Sequence, residues 1–170
     1  MSHLPWRLGF LVRAVARAVS PVLVVFLLAG TACAWQGRVV KVLDGDTVQI
    51  MNCHGKSVRI HLYGVDAPQT SQHFGQQSAR FFAGLVGDRT VQVVNIGRDE
   101  RGRMRSLVWV DGVSVNEEMV RAGYAWVSNP LGLSPSCERW LDVQGAARES
   151  RAGLWQGLTR SQARGYVPYL

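Results

Sequence analysis

The chain has 170 residues, enough for one domain with a real hydrophobic core. Hydrophobic residues make up 47% and charged residues 18%, which excludes an intrinsically disordered chain. The formal net charge of +7 allows a polyanionic partner, and the sequence shows neither a repeat nor a low-complexity run.

The first 34 residues differ from the rest. They carry Arg7, Arg13 and Arg17 and no acid, then the apolar run Val22 to Ala29, then small residues ending in Ala32-Cys33-Ala34. A positive start, a short apolar segment and an A-x-A site describe an export signal cut after Ala34. A retained membrane anchor is the alternative, against which stands the shortness of the continuous apolar run. A lipid-bearing Cys33 fits less well, with Gly30 three residues before it. Cleavage removes three arginines and no acid, lowering the net charge from +7 to +4. The mature chain then starts at Trp35 in a secreted or periplasmic protein. It keeps Cys53 and Cys137, an even pair that an oxidising compartment could join.

From residue 37 the hydrophobic period is two. Strands are expected at 37–43 and 47–51, joined by the turn Asp44-Gly45-Asp46. A third is expected at 57–65, with Val58, Ile60 and Leu62 on a core face and Arg59, His61 and Tyr63 opposite. Residues 75–86 change to a helical period, with Ala79, Phe82 and Leu85 on one stripe. Strands at 90–96 and 104–110 follow, then helices at 116–122 and 137–151, the last stopped by Gly153. The expected class is α+β, mostly β: a five-stranded OB-fold barrel with about three helices. The domain spans 35–157, with a tail at 158–170, and a monomer is expected.

Three short motifs are each weak alone. They are Asp44-Gly45-Asp46-Thr47, Gly64-Val65-Asp66-Ala67-Pro68-Gln69 and Asp99-Glu100-Arg101-Gly102-Arg103. Further pieces are Gln72-His73-Phe74-Gly75, Val115-Asn116-Glu117, Ala122-Gly123 and Gly153-Leu154-Trp155. In this order, across 37–155, the set resembles the thermonuclease family, the staphylococcal nuclease-like proteins. The resemblance implies calcium-dependent hydrolysis of phosphodiester bonds in DNA or RNA. It implies that Asp46, Asp66 and the backbone carbonyl of Ala67 hold Ca2+, whose hard charge suits oxygen ligands. It also implies that Arg103 binds the scissile phosphate, since a planar guanidinium donates to two phosphate oxygens and stays charged.

Two positions depart from the family's pattern. Five residues before Asp66, where the family has a second catalytic arginine, stands His61. Three after Asp66, where it has a glutamate that handles the attacking water, stands Gln69. Glutamine can orient water by a hydrogen bond but does not take its proton, and losing a general base costs on the order of 10²–10⁴-fold in rate. Arg59, two residues before His61 on the same strand face, is a candidate phosphate contact, as is Arg101. The family's nucleotide-pocket tyrosines have no counterpart at Arg101 and Asn129. His54 and His73 have no partner at metal-ligand spacing and fit turn or solvent roles. Three functions stay open here: a slow or altered exported nuclease, favoured because Asp46, Asp66 and Arg103 occur together; a non-catalytic OB-fold module binding nucleic acid or another polyanion; and an envelope interaction protein.

Overall fold

A computed structural model describes residues 34–128 and 139–157. Eight strands and three helices occur among them. β1 is Ala34–Val42, β2 Thr47–Asn52, β3 Ser57–Leu62, β4 Val65–Asp66, β5 Thr90–Arg98, β6 Met104–Val110, β7 Val113–Ser114 and β8 Trp126–Val127. The helices are α1 at Gly75–Val86, α2 at Val115–Arg121 and α3 at Trp140–Glu149, and a 3₁₀ turn covers Gly153–Gln156.

Alternation of side chains explains the barrel. Val48, Ile50, Ile60, Leu62, Val91, Val93 and Val108 point inward from successive strands and are all but inaccessible to water. The antiparallel order β3-β2-β1-β5-β6 curls on itself and is closed by a parallel pairing of β3 with β6. Closure matches Ile60 with Met104, His61 with Arg105 and Leu62 with Ser106. Register shifts in β1 between Val39 and Lys41, and in β5 between Asn95 and Gly97, supply the local bend that closure needs. The five-stranded barrel and three helices expected from the sequence are therefore present. Short β4 and β8 form a separate two-stranded ribbon, and β7 extends the main sheet.

α1 lies where the helical period placed it, but its buried stripe is Gly75, Ser78, Phe82 and Val86. Of the three residues assigned to the stripe, Phe82 alone is fully buried, because the helix is rotated to seat Ser78 against the barrel. Ser78 donates its hydroxyl to the Tyr124 carbonyl at 2.6 Å. The third strand also ends sooner than expected. Gly64, at φ 74°, turns the chain after Leu62, so Val65 opens a new strand with Asp66 rather than ending β3. Tyr63 is correspondingly buried instead of sharing an open face with Arg59 and His61.

Asn116 ties the closure together. Its amide donates to the carbonyls of Tyr63 (3.0 Å) and Ser106 (3.3 Å), and its oxygen accepts from the Val108 amide at 2.9 Å. Ser114 caps α2 by accepting from the Glu117 N–H. The Glu117 carboxylate accepts from Arg121, Arg139 and the Trp140 indole, which docks α3 onto α2. α3 as described is shorter than the expected 137–151. Cys137 and Asn129 lie outside the described residues; Cys53 is exposed and forms no disulfide among the described residues. No helix of the described residues is long and apolar enough to cross a membrane.

Candidate metal and phosphate site

Asp46 and Asp66 reach one place from different local structures. The Asp44-Gly45-Asp46 turn links β1 to β2, and Asp44 Oδ1 accepts the Asp46 N–H at 3.1 Å. Gly45 is required by close approach: a Cβ there would lie 2.0 Å from Ser78 Oγ and 2.6 Å from Ala67 Cβ. The turn therefore sits directly on α1 and on the segment after β4. Asp66 is fixed by the ribbon, where it pairs with Trp126.

Asp46 is 2% exposed, and its carboxylate is engaged on both oxygens. Oδ2 accepts the Ala67 N–H at 2.9 Å, and Oδ1 accepts the Thr47 hydroxyl at 2.9 Å. His61 lies across both acids, with Nδ1 3.2 Å from Asp46 Oδ1 and Nε2 3.7 Å from Asp66 Oδ1. The Asp66 side chain is about half open to solvent. One donor atom from each of Asp46, His61 and Asp66 lies within 4.8 Å of the others.

The charges are tightly linked. Burial disfavours the His61 imidazolium, but the contacts with the Asp46 and Asp66 carboxylates outweigh it and push its pKa up to about 9. Burial also works against the Asp46 carboxylate, and the His61 contact more than offsets it, holding this acid below its ordinary range. Asp44, half-buried beside Asp46, is pushed up to about 6 by its burial and by that neighbour.

A pH prediction follows for the chelated protein. A histidine raised from 6.5 to about 9 contributes stability that is whole below about pH 6.5 and disappears as pH rises through about 9. The melting temperature in chelator should therefore fall between pH 7 and pH 10, and fall less in His61→Gln. Parallel melting profiles for the two proteins would contradict this linkage.

Arg103 lies in the loop between β5 and β6, held by Asp99. Asp99 accepts the Arg103 amide at 2.8 Å and its Nε at 2.6 Å, so the Asp-x-x-Gly-Arg spacing builds its own brace. Among the described residues no other acceptor engages the guanidinium, and its terminal nitrogens are open to a ligand. Its charge opposes protonation of His61. An open cavity of about 450 Å³ lies along this hairpin, lined by Arg98, Asp99, Glu100, Arg101, Arg103 and Arg105. Arg105 was not singled out from the sequence. Its part comes from the parallel pairing with His61, and its guanidinium stacks 5.1 Å from the Tyr63 ring.

Gln69 is exposed on the loop after Asp66, its backbone N–H donating to Gln72 Oε1 at 2.7 Å. Arg59 is exposed opposite Gln49 on β2 and does not line the arginine cavity. His54 Nδ1 lies 3.4 Å from Cys53 Sγ, and the His73 ring stands 6.1 Å from that of Phe74.

The profile described as "Staphylococcal nuclease homologue" matches residues 59–157, more than half of the chain. The chain belongs to the staphylococcal nuclease family. Family members with curated names include an "Uncharacterized endonuclease" of Escherichia coli O157:H7, 43% identical over 120 residues, covering 70% of this chain and 76% of that protein. Another "Uncharacterized endonuclease", of Haemophilus influenzae, is 35% identical over 69% of this chain and 65% of its own length. A "Micrococcal nuclease" of Shigella flexneri is 29% identical over 84% and 86%. Staphylococcal nuclease membership supports a nuclease-like function with a nucleic-acid substrate. Asp46 and Asp66, brought together from a turn and a short strand, are compatible with it.

Proposed function

We propose that this chain is an exported nuclease that hydrolyses phosphodiester bonds of DNA or RNA, slowed by the substitutions at positions 61 and 69. The observation that carries the reading is the meeting of Asp46, His61 and Asp66, with His61 paired to Arg105 of an arginine-lined cavity in which Arg103 is braced but its terminal nitrogens are open. Location outside the cytoplasm rests on the N-terminal segment. Cutting after Ala34 would leave Trp35 of β1 to pair with Val93 of β5.

Each residue has a part. A divalent cation held by the two aspartates would polarise the phosphate and favour ionisation of a bound water. Calcium, the ion implied by the family resemblance, fits the carboxylates and the Ala67 carbonyl but not the imidazole between them. Arg103 binds two oxygens of the scissile phosphate and stabilises charge as it spreads in the transition state. Arg98, Arg101 and Arg105 attract the neighbouring backbone phosphates. Gln69 orients the attacking water through a hydrogen bond and leaves its proton to solvent.

Arg103→Lys should lower cleavage of single-stranded DNA about 10²-fold or more, since a point charge does not reproduce the fork. Its melting temperature should barely move, because an exposed ion pair contributes ~0–1 kcal/mol. Unchanged turnover would remove Arg103 from the reaction. Gln69 also favours a second reading, a polyanion-binding module without turnover. Tight binding of single-stranded DNA with no product would select it.

A further inference from the structure

Imidazole is the donor that sets this pair of acids apart. His61 Nδ1 faces Asp46 Oδ1 and the Thr47 hydroxyl, each at 3.2 Å. With Nδ1 so occupied, Nε2 is the nitrogen turned toward Asp66, at 3.7 Å from Oδ1. That separation is long for a hydrogen bond but ordinary for two ligands that share an ion with bonds of about 2.1 Å. Ligating histidines commonly hold their second ring nitrogen against a carboxylate in this way. The site is also built rather than casual. The side chains of Asp46 and His61 are 3% and 11% exposed, and the Ala67 amide and Thr47 hydroxyl orient the Asp46 carboxylate.

Calcium takes about 6–8 oxygen ligands, whereas imidazole suits first-row transition ions. We propose that the ion of this site is a divalent transition metal of the Mn2+, Co2+ and Zn2+ class, with His61 Nε2 and Asp66 as protein ligands and Asp46 orienting the imidazole through Nδ1. The inference takes from the proposed nuclease function only the idea that the site holds a metal. It gives the histidine substitution a meaning: the chain exchanges an arginine for a nitrogen ligand, while Arg103 and Arg105 remain to meet phosphate.

Mn2+ is the probe of choice, because the exposed Cys53–His54 pair would compete for Zn2+ but holds Mn2+ poorly. In competition titrations the purified full chain should bind one Mn2+ at least about 10-fold more tightly than Ca2+. Pulsed electron paramagnetic resonance of the bound Mn2+ should show histidine nitrogen coupling. His61→Gln should lose that coupling and bind Mn2+ on the order of 10–100-fold more weakly, with Ca2+ affinity nearly unchanged. If His61→Gln fails to fold, the nitrogen coupling in the unaltered protein decides. Equal affinity for Ca2+ and Mn2+, absence of nitrogen coupling, or no metal binding would each overturn the inference. Cleavage supported by Ca2+ bound as tightly as Mn2+ would overturn it and leave the nuclease reading standing. Mn2+ held through nitrogen with no cleavage would support it and remove the nuclease reading.

Discussion

Replacing Gln69 by glutamate is expected to raise cleavage of single-stranded DNA by on the order of 10²–10⁴-fold, the range of a restored general base. The change is nearly isosteric and adds an acceptor for the proton of the attacking water. The loop that carries it is already fixed: the Gln69 backbone N–H donates to Gln72, and a Cβ on Gly75 would lie only 1.8 Å from the Gln69 backbone carbonyl oxygen. The side chain is exposed, so stability should change by no more than ~0.5 kcal/mol. Steady-state rates of the two proteins, at equal metal and saturating DNA, give the comparison. A Gln69→Glu protein that folds, binds metal and DNA and gains no rate would mean that the pocket no longer places water against phosphorus. A misplacement near 1 Å costs ~10²-fold, enough to hide much of the gain.

Asn116→Ala should destabilise the fold by about 3–5 kcal/mol, although it touches neither acid. Three buried hydrogen bonds end on this side chain. Its loss strands the buried Val108 N–H and removes a donor from the carbonyls of Tyr63 and Ser106, and a buried orphan costs ~1–3 kcal/mol. Val108 and Ser106 lie on β6, and Tyr63 follows β3, so the damage falls on the pairing that sets Arg105 beside His61. The melting temperature should drop by roughly 10–20 °C. A drop under about 3 °C would show that the closure does not depend on this amide.

Much of this architecture is legible in the residues themselves. Period-two alternation locates β1, β2, β5 and β6, because each strand buries one face in the barrel. The Asp-x-x-Gly-Arg spacing announces the braced arginine, because the brace is local. What the sequence obscures is what long-range contacts decide. The end of β3 at Leu62 depends on Gly64 adopting a left-handed turn, and the burial of Tyr63 depends on β6. The stripe on α1 rotates to seat Ser78 beneath Gly45, a contact between segments more than thirty residues apart. His61 and Arg105 become neighbours through a parallel pairing that leaves no local trace. For the same reason His61 reads from sequence as a lost arginine, whereas in space it stands between two acids.

The most direct measurement is cleavage of single-stranded DNA by the purified protein with Mn2+, with Ca2+ and with chelator, beside Asp66→Asn. Asp66 is the right residue to change, because its half-exposed side chain leaves the fold little to lose. Cleavage is expected with a divalent cation and none in chelator, with a loss of about 10²–10³-fold or more in Asp66→Asn and a melting temperature in chelator lowered only slightly by loss of the His61 contact. Cleavage that persists in chelator and in Asp66→Asn, or no product with any divalent cation, would contradict the proposed function.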